Sequence, residues 1–125
     1  MDVLETRRPE GGPTTRPQTL DVVIVNYRSA GILDTTLAVS SRFAGGSAQF
    51  ILVDNSPGDG AAETVANAIP GAMVISNPTN VGFAAAVNQG IRRGTGELVL
   101  LLNPDISEIR GSLETVRELF AERPS

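Results

Sequence analysis

The sequence predicts an α/β domain built on a parallel, doubly wound sheet flanked by helices, and three observations carry that expectation. Four short aliphatic runs alternate with stretches of helical spacing. The chain is 41% hydrophobic but only 4% aromatic, so Ala, Val, Ile and Leu must supply the packing, as they do in buried parallel strands. The runs are also followed by Asn, Asp, Ser or Pro, the residues that stop strands and start turns. With 125 residues the chain is the size of one domain.

Residues 1–18 are dense in Arg, Glu, Pro, Gly and Thr and are expected to form a disordered tail. Residues 21–26 (DVVIVN) are β-branched and end in a polar residue, the pattern of a buried strand. A helix is expected over 29–42, where Ile32, Leu33, Leu37 and Val39 fall near helical spacing and Ser29 or Asp34 stands near the start. The second strand is 49–54 (QFILVD), followed by a turn containing Pro57, Gly58 and Gly60. A short helix over 61–68 is closed by Pro70 and Gly71. The third strand is 72–76 (AMVIS), and 77–80 (NPTN) is a turn. An Ala-rich helix over 82–93 ends before Gly94 and Gly96. The fourth strand, 97–102 (ELVLLL), is broken by Asn103-Pro104-Asp105, and 112–122 forms a last amphipathic helix with Leu113, Val116, Leu119 and Phe120 inward.

The missing residue types exclude whole chemistries. Without Cys there is no disulfide, thiol nucleophile or zinc-thiolate site. Without His there is no Ser-His-Asp triad and no imidazole ligand. All ten basic residues are Arg, so a P-loop lysine and Schiff-base chemistry are excluded. Any metal site must be oxygen-rich, which suits Mg²⁺ or Mn²⁺. The net charge of −4 and the lack of a basic run argue against nucleic-acid binding. The longest unbroken aliphatic run is 98–102, far short of a transmembrane segment, and no signal-peptide core is present. The expected compartment is the cytoplasm.

In sheets of this kind ligands bind outside the carboxyl ends of the strands, which directs attention to the polar residues there. Tyr27, after Asn26, can stack on a nucleobase or simply pack over the sheet end. Only Gly31 follows the first strand closely, so the three-glycine dinucleotide fingerprint is missing. Asp54 can accept the imide N–H of a uracil or thymine ring, with Asn55 adding a polar contact; the alternative is turn chemistry. Gly82 permits close backbone approach at a helix start, where free N–H groups favour a diphosphate. Asn88 sits inside that helix, where Asn is a poor helix former and needs a reason; the alternative for the stretch is a capped packing helix. Asp105 can serve a hard cation that bridges phosphates, or be a solvated aspartate after an Asn-Pro turn.

Taken together, VVIVNYRS, ILVDNS and NVGFAAAVNQGIRRGTGELVLLLNPD resemble family 2 glycosyltransferases, especially the rhamnosyltransferase-like branch, from about Asp21 to the C-terminus. The resemblance implies a GT-A, Rossmann-like fold, truncated in this chain. It implies base contacts by Asn26, Tyr27 and Asp54, with Asn55 beside them. Asn80, Gly82, Phe83 and Asn88 would line the nucleotide-sugar site, and Asp105, the last acid of a DxD-type motif, would hold Mg²⁺ or Mn²⁺. Asn103 stands where that motif has its first acid. The donor implied is a UDP- or dTDP-sugar, and the acceptor a glycan or lipid-linked hydroxyl, with inversion at the anomeric carbon.

In the family the domain continues further, and its second half carries the acceptor site and the carboxylate base. No counterpart follows Asp105, because Glu108, Glu114, Glu118 and Glu122 read as solvated acids. Residues 19–125 are therefore expected to be an N-terminal, donor-binding part, and no catalytic base is assigned. A non-catalytic nucleotide-sugar-binding module or a truncated inactive fragment is the competing expectation. A receiver-type signalling domain would need a lysine and an acidic cluster after the first strand, and both are missing.

Overall fold

The computed structural model describes residues 3–6, 19–44 and 48–104. Among the described residues five strands form one sheet in the order β1-β5-β2-β3-β4. Strands β2 (Leu20–Asn26), β3 (Ala48–Asp54), β4 (Met73–Ser76) and β5 (Leu98–Leu102) run parallel to one another. β1 (Val3–Thr6) pairs antiparallel with β5, from Val3↔Leu101 to Thr6↔Leu98.

Residues 3–6, expected to belong to a tail over 1–18, form that edge strand, and the rest of that stretch lies outside the described residues. Without β1, the outer edge of β5 would present a row of unpaired N–H and C=O groups. The four residues Val3–Thr6 supply the missing ladder.

Every residue of β2 and β5 is buried, which explains their continuous aliphatic runs. Alternate residues serve opposite faces. Val22, Ile24, Leu52, Leu98, Leu100 and Leu102 pack on one side against Leu33 and Leu37 of α1 (Leu33–Ala44) and Ala61 and Val65 of α2 (Ala61–Ala68). On the other side, Val23, Ile51, Val99 and Leu101 meet Val87 and Ile91 of α3 (Phe83–Arg93), while Val25 and Val53 meet Ala86. A 3-10 turn over Ala30–Ile32 leads into α1, so the helix expected from residue 29 starts at Leu33. The helix expected over 112–122 lies outside the described residues.

Glycines set how closely α3 approaches the sheet. A Cβ on Gly90 would lie 2.5 Å from Val23 Cγ1. Val23 is β-branched and fully buried, so it has no room to yield. α3 therefore lies flat across β2 and β3, and its N-terminus is carried to the carboxyl edge of the sheet.

Strands β2, β3 and β4 step outward in one direction, and β5 then returns to the far side of β2. The order reverses between β2 and β5. Crevices outside the carboxyl ends of strands at such a reversal are where open α/β sheets bind ligands.

Candidate functional site

Asn26 and Asp54 close their strands in direct register. The Asn26 side chain is fully buried. Its Nδ2 donates to Asp54 Oδ1 at 3.0 Å, Asp59 Oδ2 at 3.0 Å and Ser56 Oγ at 3.2 Å. Its Oδ1 accepts the N–H of Ser29 at 3.1 Å. Asn26 thus braces the ends of two strands and the turn that follows each. Burial draws the Asp59 carboxyl upward, but hydrogen bonds from Asn26, the Ala61 N–H and Ser56 outweigh it and hold the group below its ordinary range.

Asp54 is also buried, and Oδ1 additionally accepts the N–H of Ser56 at 3.1 Å. Its Oδ2 is different. Among the described residues it is the one buried side-chain polar atom with no hydrogen-bond partner. Leaving a buried acceptor unsatisfied is costly, and such exceptions call for a reason.

A second amide network ties β3 to α3. Asn55 Oδ1 accepts from Asn77 Nδ2 at 2.9 Å and from the Val81 N–H at 3.4 Å, while its Nδ2 donates to the Gly82 carbonyl at 3.4 Å. Asn77 and Gln89 exchange a reciprocal pair of amide bonds, each 2.8 Å long. Asn80 Oδ1 accepts the Gly82 N–H at 2.9 Å. Gly82 itself has φ 90°, a conformation that favours glycine, and it caps α3 without a side-chain partner. The first turn of α3 holds no acid and its last turn holds Arg92 and Arg93, so the helix dipole keeps its positive end open.

These networks frame a cleft of about 310 Å³ at the reversal of strand order. Of the residues selected from sequence, Tyr27, Asn55, Asn80, Gly82, Phe83 and Asn103 line it. Val25, Ser29 and Pro104 line it as well and were not selected. Pro104 is held by its carbonyl, which accepts the hydroxyl of buried Thr36 on α1. Tyr27 and Phe83 are about half exposed, at 44% and 51%, which gives the cleft two apolar lips.

Three selected residues fall elsewhere. Asn26 and Asp54 lie buried behind the wall, one residue from Tyr27 and from Asn55. Asn88 is exposed on α3 with Ala84 and Ala85 and does not line the cleft. Asp105 lies outside the described residues. Sequence reasoning missed Ser56, Asp59 and Gln89; Ser56 and Asp59 were absorbed into a turn, and nothing in the Ala-rich helix set the half-buried Gln89 apart.

Among the described residues no three Asp or Glu side chains converge. A divalent cation here would take one carboxylate from the protein and its remaining oxygens from a diphosphate and water. None of the residues lining the cleft is Asp or Glu; its polar lining at Asn55, Asn80 and Asn103 is amide.

The sequence model described as "Glycosyl transferase family 2" matches residues 21–125. The chain belongs to that family. No curated protein matches this family 2 chain. Among solved structures, it is similar to the mannosyltransferase PcManGT from Pyrobaculum calidifontis, determined with GDP-Man and Mn²⁺. The TM-score is 0.68 at 22% identity, over 91% of this chain and 35% of that one. S. aureus TarS 1-349, determined with UDP-GlcNAc, gives a TM-score of 0.64 at 20% identity, over 82% of this chain and 30% of that one. Glucosyl-3-phosphoglycerate synthase from Mycobacterium tuberculosis gives 0.59 at 19% identity, over 72% of this chain and 35% of that one. At these identities the likeness establishes a GT-A-type fold. The family 2 chain spans about a third of the length of these proteins. No helix among its described residues is long and apolar enough to cross a membrane.

Proposed function

We propose that the cleft receives a UDP- or dTDP-linked sugar and that the protein transfers that sugar, with inversion, to a hydroxyl of a glycan or lipid-linked acceptor. The observation that carries this reading is Asp54 Oδ2, a buried acceptor without a donor, one residue from Asn55 in the cleft wall. The imide N–H of uracil or thymine is the kind of donor this oxygen lacks. Tyr27 offers a ring for the base to stack on. The first turn of α3, from Phe83 onward, supplies backbone N–H groups and a positive dipole end for the diphosphate, the Gly82 N–H being bonded to Asn80. Asn80 and Asn103 offer amides to the ribose and sugar.

Asp105 is the residue proposed to hold Mg²⁺ or Mn²⁺, which when bound neutralises the departing diphosphate. Asn26 keeps Asp54 in place and contributes indirectly. The structural relatives support the reading by their ligands: GDP-Man with Mn²⁺ for one, UDP-GlcNAc for another, and Mn²⁺ with UDP for the third. A rhamnosyltransferase-like specificity rests on the NPD sequence at Asn103, Pro104 and Asp105.

Calorimetry with UDP and dTDP in the presence of Mn²⁺ tests the assignment. Asp54→Asn should lower affinity about tenfold or more, since a hydrogen bond to a charged group contributes roughly 1.5–3 kcal/mol. Asp105→Ala should leave base recognition and remove the metal dependence. Equal affinity for wild type and both variants would remove these roles.

A further inference from the structure

The cleft depends on a tyrosine at its lip, and the residue after it is unusual. Arg28 has φ 56°, the only positive φ of a non-glycine among the described residues. An L-residue adopts that conformation at a cost, and Asn or Gly would bear it more easily. Two hydrogen bonds hold the turn in this shape. The Arg28 N–H donates to Ser56 Oγ at 2.8 Å, and the Ser29 N–H donates to Asn26 Oδ1 at 3.1 Å. Ser56 Oγ is itself committed, because it donates to Asp59 Oδ2 at 2.9 Å.

The strained turn has a geometric result. Successive side chains of extended backbone point to opposite sides. The left-handed residue cancels that divergence, and Arg28 Cζ comes to lie 5.0 Å from the centroid of the Tyr27 ring, within cation–π range. Tyr27 lines the cleft and Arg28 does not, so the guanidinium approaches the ring from outside the cleft.

We infer that Arg28 is a positioning residue, which clamps the Tyr27 ring from outside so that the ring stands ready in the cleft as a stacking surface for the nucleobase. This rests on the nucleotide reading above and adds a residue to it. Pre-ordering the ring removes from binding the cost of immobilising an exposed aromatic side chain. The strain at Arg28 is then the structural cost of a pre-organised lip.

Tyr27 is the only tyrosine and the chain has no tryptophan, so ultraviolet-excited emission reports on this ring almost alone. The test compares the full chain with Arg28→Gln and Arg28→Lys, both of which keep the backbone demand. Uridine, UDP, dTDP and GDP are titrated by calorimetry while Tyr27 emission is followed. The inference expects Arg28→Gln to weaken uridine and UDP equally, by roughly two- to tenfold. Arg28→Lys should restore most of the affinity. Without nucleotide, Tyr27 in Arg28→Gln should show lower anisotropy and easier quenching by acrylamide.

Unchanged affinity in Arg28→Gln would overturn the clamp and leave the nucleotide site standing. A loss confined to UDP that vanishes at high salt would overturn it too, by making Arg28 a phosphate contact. A wild-type chain that binds none of the four ligands would overturn the nucleotide reading and the clamp with it.

Discussion

The two ends of the same sheet are built on opposite plans. At the amino edge, buried Asp21 is wrapped by the loop between α3 and β5. Its Oδ2 accepts the Gly96 N–H at 2.9 Å, and a Cβ on Gly94 would fall 1.9 Å from that oxygen. Nothing larger than glycine fits. At the carboxyl edge, Asp54 is equally buried but keeps an oxygen without a partner, Arg28 is held in a strained conformation, and Tyr27 and Phe83 stand half exposed. One carboxylate closes the fold; the other is left short of a donor beside a cleft. The contrast teaches that burial alone does not mark a structural aspartate. What separates the two is whether the surrounding chain completes the hydrogen bonding.

The largest expected effect breaks the closed end. Gly94→Ala drives a methyl group into the Asp21 carboxylate and towards Ile51 Cδ1 at 3.0 Å. Asp21 cannot retreat without giving up the Gly96 N–H. The stability loss should be about 3 kcal/mol or more, read from the urea midpoint, because overpacking and a broken buried charge contact add. A Gly94→Ala chain that unfolds at the wild-type midpoint would mean that the amino edge yields as readily as the open end.

How much of this was legible in the sequence follows the same division. The four parallel strands read from sequence lie within one residue of those observed at each end, because each aliphatic run is bounded by polar or turn residues. The rule that ligands sit at the carboxyl ends also singled out six residues that line the cleft. β1 was not legible, because a four-residue strand among Arg, Glu and Pro exists only through its pairing with β5. Nor could sequence separate bracing amides from lining ones. Asn26 and Asn80 look alike in the chain, but Asn26 ends a strand in register with Asp54 and is buried by it, while Asn80 sits in a turn. Asn88 was selected because Asn is a poor helix former. On α3 it shares the exposed face with Ala84 and Ala85, where a weak helix former is tolerated.

A smaller effect sharpens the comparison from the open end. Asn77→Ala removes one half of the reciprocal pair with Gln89 and a donor to Asn55. Gln89 can turn its amide toward water, whereas Asn55 is buried and keeps only longer contacts to Val81 and Gly82. The stability cost should be about 1–2 kcal/mol. UDP affinity should fall as well, because the same bonds hold the entry to α3. Lost stability with unchanged UDP affinity would separate the amide network from the cleft.

The smallest expected effect concerns Asp59, an exposed acid that completes the brace around Asn26. Its carboxyl titrates below the ordinary range, so the fold favours the anion. The sign follows directly: the contribution is full above the unfolded value of about 4, and it disappears as the pH falls through the lower folded value. Asp59→Asn keeps an oxygen for the Ala61 N–H but turns an acceptor of Asn26 and Ser56 into a donor. Water screens a group this exposed, so the loss at neutral pH should stay within about 1 kcal/mol. The difference between wild type and Asp59→Asn should narrow as the pH is lowered below about 4. Urea midpoints measured from neutral pH into the acid range decide the point. A difference that stays constant across that range would mean that Asp59 acts through its shape and not its charge, and the brace at the open end would then be as insensitive to pH as an uncharged contact.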